Sequence, residues 1–119
     1  MTADLSALIA RLEAAEAGAR FTDSDAIEFA KALVLPHRAT VIRGLARRAL
    51  NGSLDAALAL AERLGCGRTY VLDNAIQTTG RALPTAHLWN DDGKHTGHAR
   101  TMSLALCIAI LRAKQGEGE

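Results

Sequence analysis

The sequence HTGHARTMSLALCIAILRAK, residues 95–114, places two histidines and an arginine directly before the most apolar run of the chain. The run begins near Thr101 and is apolar almost all round until Arg112 and Lys114. A helix that is apolar on every side is buried on most sides. We therefore expect a C-terminal helix that packs between a small sheet and the N-terminal helices.

Small residues recur at every fourth position of this helix, at Ala105, Ala109 and Ala113. Positions four apart lie on one face of a helix. Because small side chains there leave room for a neighbouring backbone, we expect one other element to pack closely against this stripe.

Amphipathic patterns predict four more helices earlier in the chain. They cover residues 4–17, the stretch from Thr22 up to Pro36, residues 37–51 and residues 54–64. Thr22 and Ser53 are the expected N-caps of the second and fourth helices. Gly44 and two β-branched residues, which have low helix propensity, interrupt the apolar pattern of the third helix.

After Gly65-Cys66-Gly67, a predicted turn, the pattern changes to short strands over residues 68–75, 82–90 and 94–99. Asp92-Gly93 is a hairpin signal, and Pro84 favours an edge strand or a bulge. The sequence thus predicts one α+β domain over residues 1–119, with a two- to three-stranded antiparallel sheet, four to five helices and a frayed tail at 115–119.

Composition excludes several classes of protein. A formal net charge of +1 argues against strong non-specific nucleic-acid binding, which grows with the number of phosphates neutralised. The start MTADLSAL has acid and polarity where a secretory signal needs a basic start and an apolar core, and no apolar run approaches the roughly 20 residues of a membrane span. We therefore expect a cytoplasmic protein with no membrane partner. Cys107 is expected to act as a small buried hydrophobe.

Two segments, GSLDAALALAERL and GHARTMSLALCIAILRA, resemble the phage ABA sandwich domain family of small phage and prophage proteins. The opening DLSALIARLEAA is similar to the first helix of that family, and the likeness covers about half the chain. Met102 stands where the family usually has proline, Arg68-Thr69-Tyr70 where it often has tryptophans, and residues 31–51 have no counterpart. The resemblance implies an α/β sandwich and a viral origin but supplies no catalytic residues.

Metal and catalytic sites are poorly supported. His95-x-x-His98, with His87 and Cys66, offers imidazole and thiolate ligands for zinc, but a second closely spaced pair is missing. No glycine-rich phosphate loop, G-x-S-x-G or H-E-x-x-H motif occurs. We expect no metal, no cofactor and no enzymatic activity.

An anion site is one interpretation of the opening stretch. The start of the last helix has free backbone N–H groups and positive potential, which suit a phosphate. The side chains that would join them are those of His95, His98, Arg100, Thr101 and Ser103. The alternative is that Thr101 only caps the helix.

A basic segment is the second candidate. No acidic residue occurs between Glu28 and Asp55, whereas residues 1–28 hold six acids against two arginines. The bases of that segment are Lys31, Arg38, Arg43, Arg47 and Arg48. On a helix, Arg43 and Arg47 share a face suited to phosphate or to an acidic protein. The alternative is that this helix lies against the acidic N-terminal helices, with its long stems reaching water.

Together these features suggest a phage-encoded binding protein that antagonises a bacterial anti-phage defence. It would sequester a nucleotide-type immune signal in a basic pocket formed by Arg43, Arg47, Arg68 and residues 95–101, which requires those segments to meet in space. Tyr70 and Trp89 would stack on the base, or else anchor the core. The alternatives are an anti-CRISPR-like inhibitor of a defence protein and a virion accessory protein without a ligand. A small-residue stripe and an open sheet also suit a homo-oligomer.

Overall fold

The computed structural model describes residues 5–15, 20–33, 36–64, 69–76, 82–90 and 93–117. Five helices and one three-stranded antiparallel sheet lie in these ranges, and they confirm the predicted α+β fold. In chain order the elements are α1 (Leu5–Ala14), α2 (Asp23–Leu33), α3 (Pro36–Leu50), α4 (Leu54–Leu64), β1 (Thr69–Ile76), β2 (Ala82–Asn90), β3 (Gly93–His98) and α5 (Met102–Glu117).

Short polar side chains fix the starts of the helices, as the sequence predicts. Thr22 caps α2: its Oγ1 accepts from the Asp25 backbone N–H at 3.3 Å, while the Asp25 carboxylate accepts from the Thr22 N–H at 2.9 Å. Ser53 caps α4 by accepting from the Ala56 N–H at 3.2 Å. Pro36 is the first residue of α3, where its missing N–H costs no helical hydrogen bond.

The weakly predicted third helix is confirmed as a regular helix, α3. α3 ends at Leu50, and Asn51 and Gly52 form the turn that follows it. The Asn51 side chain accepts from the Phe21 N–H at 2.8 Å and donates to the Phe21 carbonyl at 3.0 Å, which ties the end of α3 to the start of α2. Gly52 has φ of 108°, a conformation that glycine adopts at little cost. Packing of α3 on α2, α4 and α5 outweighs the low helix propensity of Gly44.

β2 is the central strand of the sheet, flanked by β1 and β3. The expectation that Pro84 lies on an edge strand or at a bulge is therefore wrong. The Pro84 carbonyl accepts from the Ala99 N–H at 3.2 Å, just beyond the last β2–β3 pair, Thr85 with His98. Pro84 is tolerated because its nitrogen faces the side on which β3 has already ended.

α5 is the centre of the core, as the sequence predicts. Every residue from Ser103 to Leu111 is buried, and the helix packs against β2 and β3 on one side and against α1, α3 and α4 on the other. The alanine stripe receives β3: a Cβ on Gly97 would lie 2.7 Å from the Ala109 nitrogen and would overlap the Ala105 carbonyl oxygen. The helix continues to Glu117, so residues 115–117 are helical, although they were expected to fray.

Ion pairs join the helices at the surface. Arg11 of α1 binds Asp25 at 2.8 Å and Glu28 at 3.0 Å, both on α2. The Thr22 N–H and then the Arg11 guanidinium lower the pKa of Asp25, and the two carboxylates raise the pKa of Arg11. Arg112 of α5 binds Glu13 of α1 at 3.2 Å. These contacts link α1 to α2 and to α5 at the surface, where exposed ion pairs contribute little to stability.

Candidate functional site

The sheet has one face that packs on α5 and one that does not. Ala86 and Leu88 of β2 are buried in the core, and Gly97 of β3 touches the α5 backbone. Because successive side chains of a strand point to opposite faces, the alternate residues lie on the other face, which we call the outer face. Its members on β2 and β3 are Thr85, His87, Trp89, Lys94, Thr96 and His98. Among the described helices, only α5 packs substantially on the strands.

Two histidine–threonine pairs cross from β2 to β3 on this face. His98 Nδ1 lies 2.9 Å from Thr85 Oγ1, and His87 Nδ1 lies 2.9 Å from Thr96 Oγ1. Thr85 is fully buried, and its hydrogen bond orients the His98 ring. Because both bonds use Nδ1, the Nε2 atoms of the two half-buried rings remain to donate to or accept from a ligand.

Trp89 supplies a stacking surface next to these imidazoles. Trp89 is 37% exposed, so part of its ring surface is open to solvent. The Trp89 and His87 rings are 5.9 Å apart between centroids and tilted by 43°. Lys94, which is exposed, pairs with Trp89 in the strand register. The outer face thus combines an aromatic ring, two imidazoles and a cation.

At the start of α5, a backbone N–H that could bind an anion is already bonded to the N-cap residue, Thr101. Thr101 Oγ1 accepts from the Leu104 N–H at 3.2 Å and lies 3.3 Å from Ser103 Oγ. Ser103 is only 2% exposed. These contacts correspond to the alternative interpretation, in which Thr101 caps the helix, and Ser103 is too deeply buried to meet an anion from solvent.

The strand separates the two histidines of the H-x-x-H motif. His98 lies on the outer face, whereas His95 is three positions earlier and lies on the opposite face of β3. Two imidazoles on opposite faces cannot chelate one ion. Within the described ranges no three histidine, cysteine or acidic side chains lie close enough together to hold a metal, and Cys66 is outside those ranges.

The arginines of α3 lie apart from the outer face. α3 packs against α2, α4 and α5, whereas β3 packs against β2 and α5. Arg43 is exposed, and Arg47 binds Asp23 of α2 at 3.2 Å, as the intramolecular alternative predicts. The structure therefore does not bring these arginines together with His98 in one pocket.

Two of the three remaining predicted residues lie in the described part of the chain. Arg68 is outside the described residues, Tyr70 pairs with Leu88 in the register of β1 and β2, and Arg100 is exposed between β3 and α5. The contact of His87 with Thr96 and the pairing of Lys94 with Trp89 were not predicted from the sequence. The signal for both was available in principle, because a hairpin at Asp92-Gly93 fixes which residues lie opposite each other.

Comparisons with protein families, curated proteins and solved structures find no match to this chain. The resemblance to the phage ABA sandwich family therefore stays a prediction. In the part of the chain that the structure describes, every helix is too short or too polar to span a bilayer. The functional assignment accordingly depends on the chemistry of the outer face.

Proposed function

We propose that this protein binds a nucleotide-type ligand on the outer face of its sheet. The exposed Trp89 ring beside His87 is the observation that carries the proposal. A sheet with helices on one side and stacking aromatics on the other is a common platform for unpaired bases. A base stacked on Trp89 would lie next to the free Nε2 of His87.

The polar side chains of the outer face suit the rest of a nucleotide. Lys94, opposite Trp89, is a flexible point charge for a phosphate. His87 and His98 are already oriented by Thr96 and Thr85, so their Nε2 atoms lose little freedom when a ligand binds. With one tryptophan and one lysine, the face suits a small ligand better than a long strand.

The biological setting of the proposal comes from the family resemblance. We infer a phage-encoded protein that acts in the cytoplasm of the infected bacterium and antagonises an anti-phage defence by sequestering its nucleotide signal. Sequestration requires tight binding without chemistry. A bound signal should therefore be recovered unchanged after the protein is denatured.

Native mass spectrometry with a panel of cyclic oligonucleotides and cyclic ADP-ribose-type molecules tests this proposal. We expect a stoichiometric adduct with one class of nucleotide, and the same spectra give the number of subunits. Trp89→Ala should weaken the adduct by about tenfold, because one base–aromatic stack contributes roughly 1–3 kcal/mol. Lys94→Gln should weaken it by about threefold to fivefold, as expected for an exposed charge contact.

Arg63→Gln is the matched control, since Arg63 is an exposed arginine of α4, away from the sheet. It should leave the adduct unchanged. If Arg63→Gln weakens ligand binding as much as Lys94→Gln does, the ligand is attracted to positive charge in general and not to the outer face. Absence of any adduct across the panel would refute the proposal, and a chemically altered ligand would indicate an enzyme instead.

A further inference from the structure

The solvent-facing side of α3 forms a second surface, which is separate from the outer face of the sheet. Buried residues at helical spacing, such as Ala39, Ile42, Ala46 and Ala49, hold the helix against the core. The exposed positions among the described side chains of α3 form what we call the α3 surface. Its members are Arg38, Thr40, Val41, Arg43, Gly44, Arg47 and Arg48.

The charge on this surface is of one sign and is only partly neutralised. The segment between Glu28 and Asp55 has no acidic residue. Arg47 binds Asp23, and the Arg48 side chain donates to the Gly44 carbonyl of its own helix. Arg38 and Arg43 have no ion pair with any described residue, so their charges are available to an acidic partner.

An exposed apolar residue lies among these arginines. Val41 is 64% exposed, although valine is usually buried. Gly44, one turn further along, has no atom within 4 Å of the place a Cβ would occupy. Val41 and Gly44 therefore form a shallow apolar centre of the α3 surface, and arginines surround it. Protein interfaces often have this arrangement of an apolar core and a polar rim.

We propose that the α3 surface docks on an acidic protein surface that presents an apolar side chain to Val41. Charge complementarity favours an acidic partner, because Arg38 and Arg43 are exposed cations and the helix has no anion of its own. The exposed valine favours a protein over a nucleic-acid duplex, whose phosphate backbone offers no apolar group to cover it. This inference is independent of the ligand proposed for the sheet.

Nuclear magnetic resonance with a matched set of synthetic peptides tests this docking surface. The parent peptide is an amphipathic helix with glutamates around one leucine; a second peptide has the glutamates replaced by glutamine, and a third has the leucine replaced by serine. We expect the parent peptide to shift the amide resonances of residues 38–48 specifically. Each altered peptide should bind about tenfold more weakly, the glutamine peptide through lost charge pairing and the serine peptide through lost apolar burial.

Variants of the protein complete the design. Val41→Ser should weaken binding of the parent peptide about tenfold but leave a short oligothymidylate unaffected, and Arg43→Gln should weaken the peptide while Arg63→Gln does not. Equal binding by Val41→Ser and wild type would overturn the inference. So would preference for the oligothymidylate, shifts outside residues 38–48, or no shifts with the parent peptide at millimolar concentration.

Discussion

Gly97 is the position at which one methyl group tests the packing of the whole fold. Gly97→Ala would place a Cβ 2.9 Å from the Ile108 Cβ and 2.7 Å from the Ala109 nitrogen, and it would overlap the Ala105 carbonyl oxygen. Two of these atoms belong to the backbone of a buried helix, so no flexible side chain can turn away. The new methyl group must push α5 away from β3.

The cost of that displacement follows from the surroundings of α5. The helix is packed between the sheet and α1, α3 and α4, so a shift by about 1 Å opens gaps on one side and crowds atoms on the other. Overpacking of this kind costs about 2–3 kcal/mol. With an unfolding entropy of about 2.1 cal/mol/K for each of 119 residues, we expect Tm to fall by about 8–12 °C.

Gly44→Ala is the matched control for this prediction. It adds the same methyl group to an exposed helix position with no neighbouring atom, where alanine is favoured over glycine by about 0.5–1 kcal/mol. Differential scanning calorimetry should therefore show Tm rising by about 2–4 °C for Gly44→Ala and falling for Gly97→Ala. The predicted contact of β3 with α5 is refuted if Gly97→Ala melts within a degree or so of wild type.

Three further predictions concern a cap, a carboxylate and a thiol. Thr101→Ala should destabilise the protein by about 1 kcal/mol in urea unfolding, because α5 loses its N-cap; an unchanged midpoint would contradict that role. The pKa of Asp25 is lowered below its ordinary value of 3.8, so its stabilising effect is present above that pH and is lost as the pH falls through the folded value. The stability difference between wild type and Asp25→Asn should therefore shrink as the pH drops below 3.8, and a constant difference would argue against the pair with Arg11. Burial raises the pKa of Cys107 to about 12, so peptide mapping should find its thiol unlabelled by maleimide in the folded protein and labelled in urea; rapid labelling of native protein would contradict its burial.

Patterns within single helices predicted the architecture well. The apolar run after Thr101 indicated that α5 is buried, because no other placement hides a helix that is apolar on every side. Ser53 and Thr22 marked helix starts, because a hydroxyl at an N-cap satisfies an N–H that has no helical partner. The alanine stripe indicated a close neighbour, which the structure identifies as β3 at Gly97.

The candidate site was less predictable, because it depends on the pairing of strands. The spacing of His95 and His98 suggested a shared ligand, but a strand sends residues three apart to opposite faces. The outer face arises only when His87 and Trp89 of β2 lie beside Thr96 and Lys94 of β3. Likewise, the basic segment of α3 could be placed apart from the sheet only once α5 was seen to lie between them.

The emission of Trp89 offers the most direct measurement of the proposed function, because Trp89 is the only tryptophan in the chain. The ligand that native mass spectrometry identifies should be titrated into the protein while this emission is recorded. We expect quenching that saturates at one ligand per site and that requires higher ligand concentrations in Lys94→Gln. A ligand that binds stoichiometrically while Trp89 emission stays unchanged would contradict binding on the outer face of the sheet.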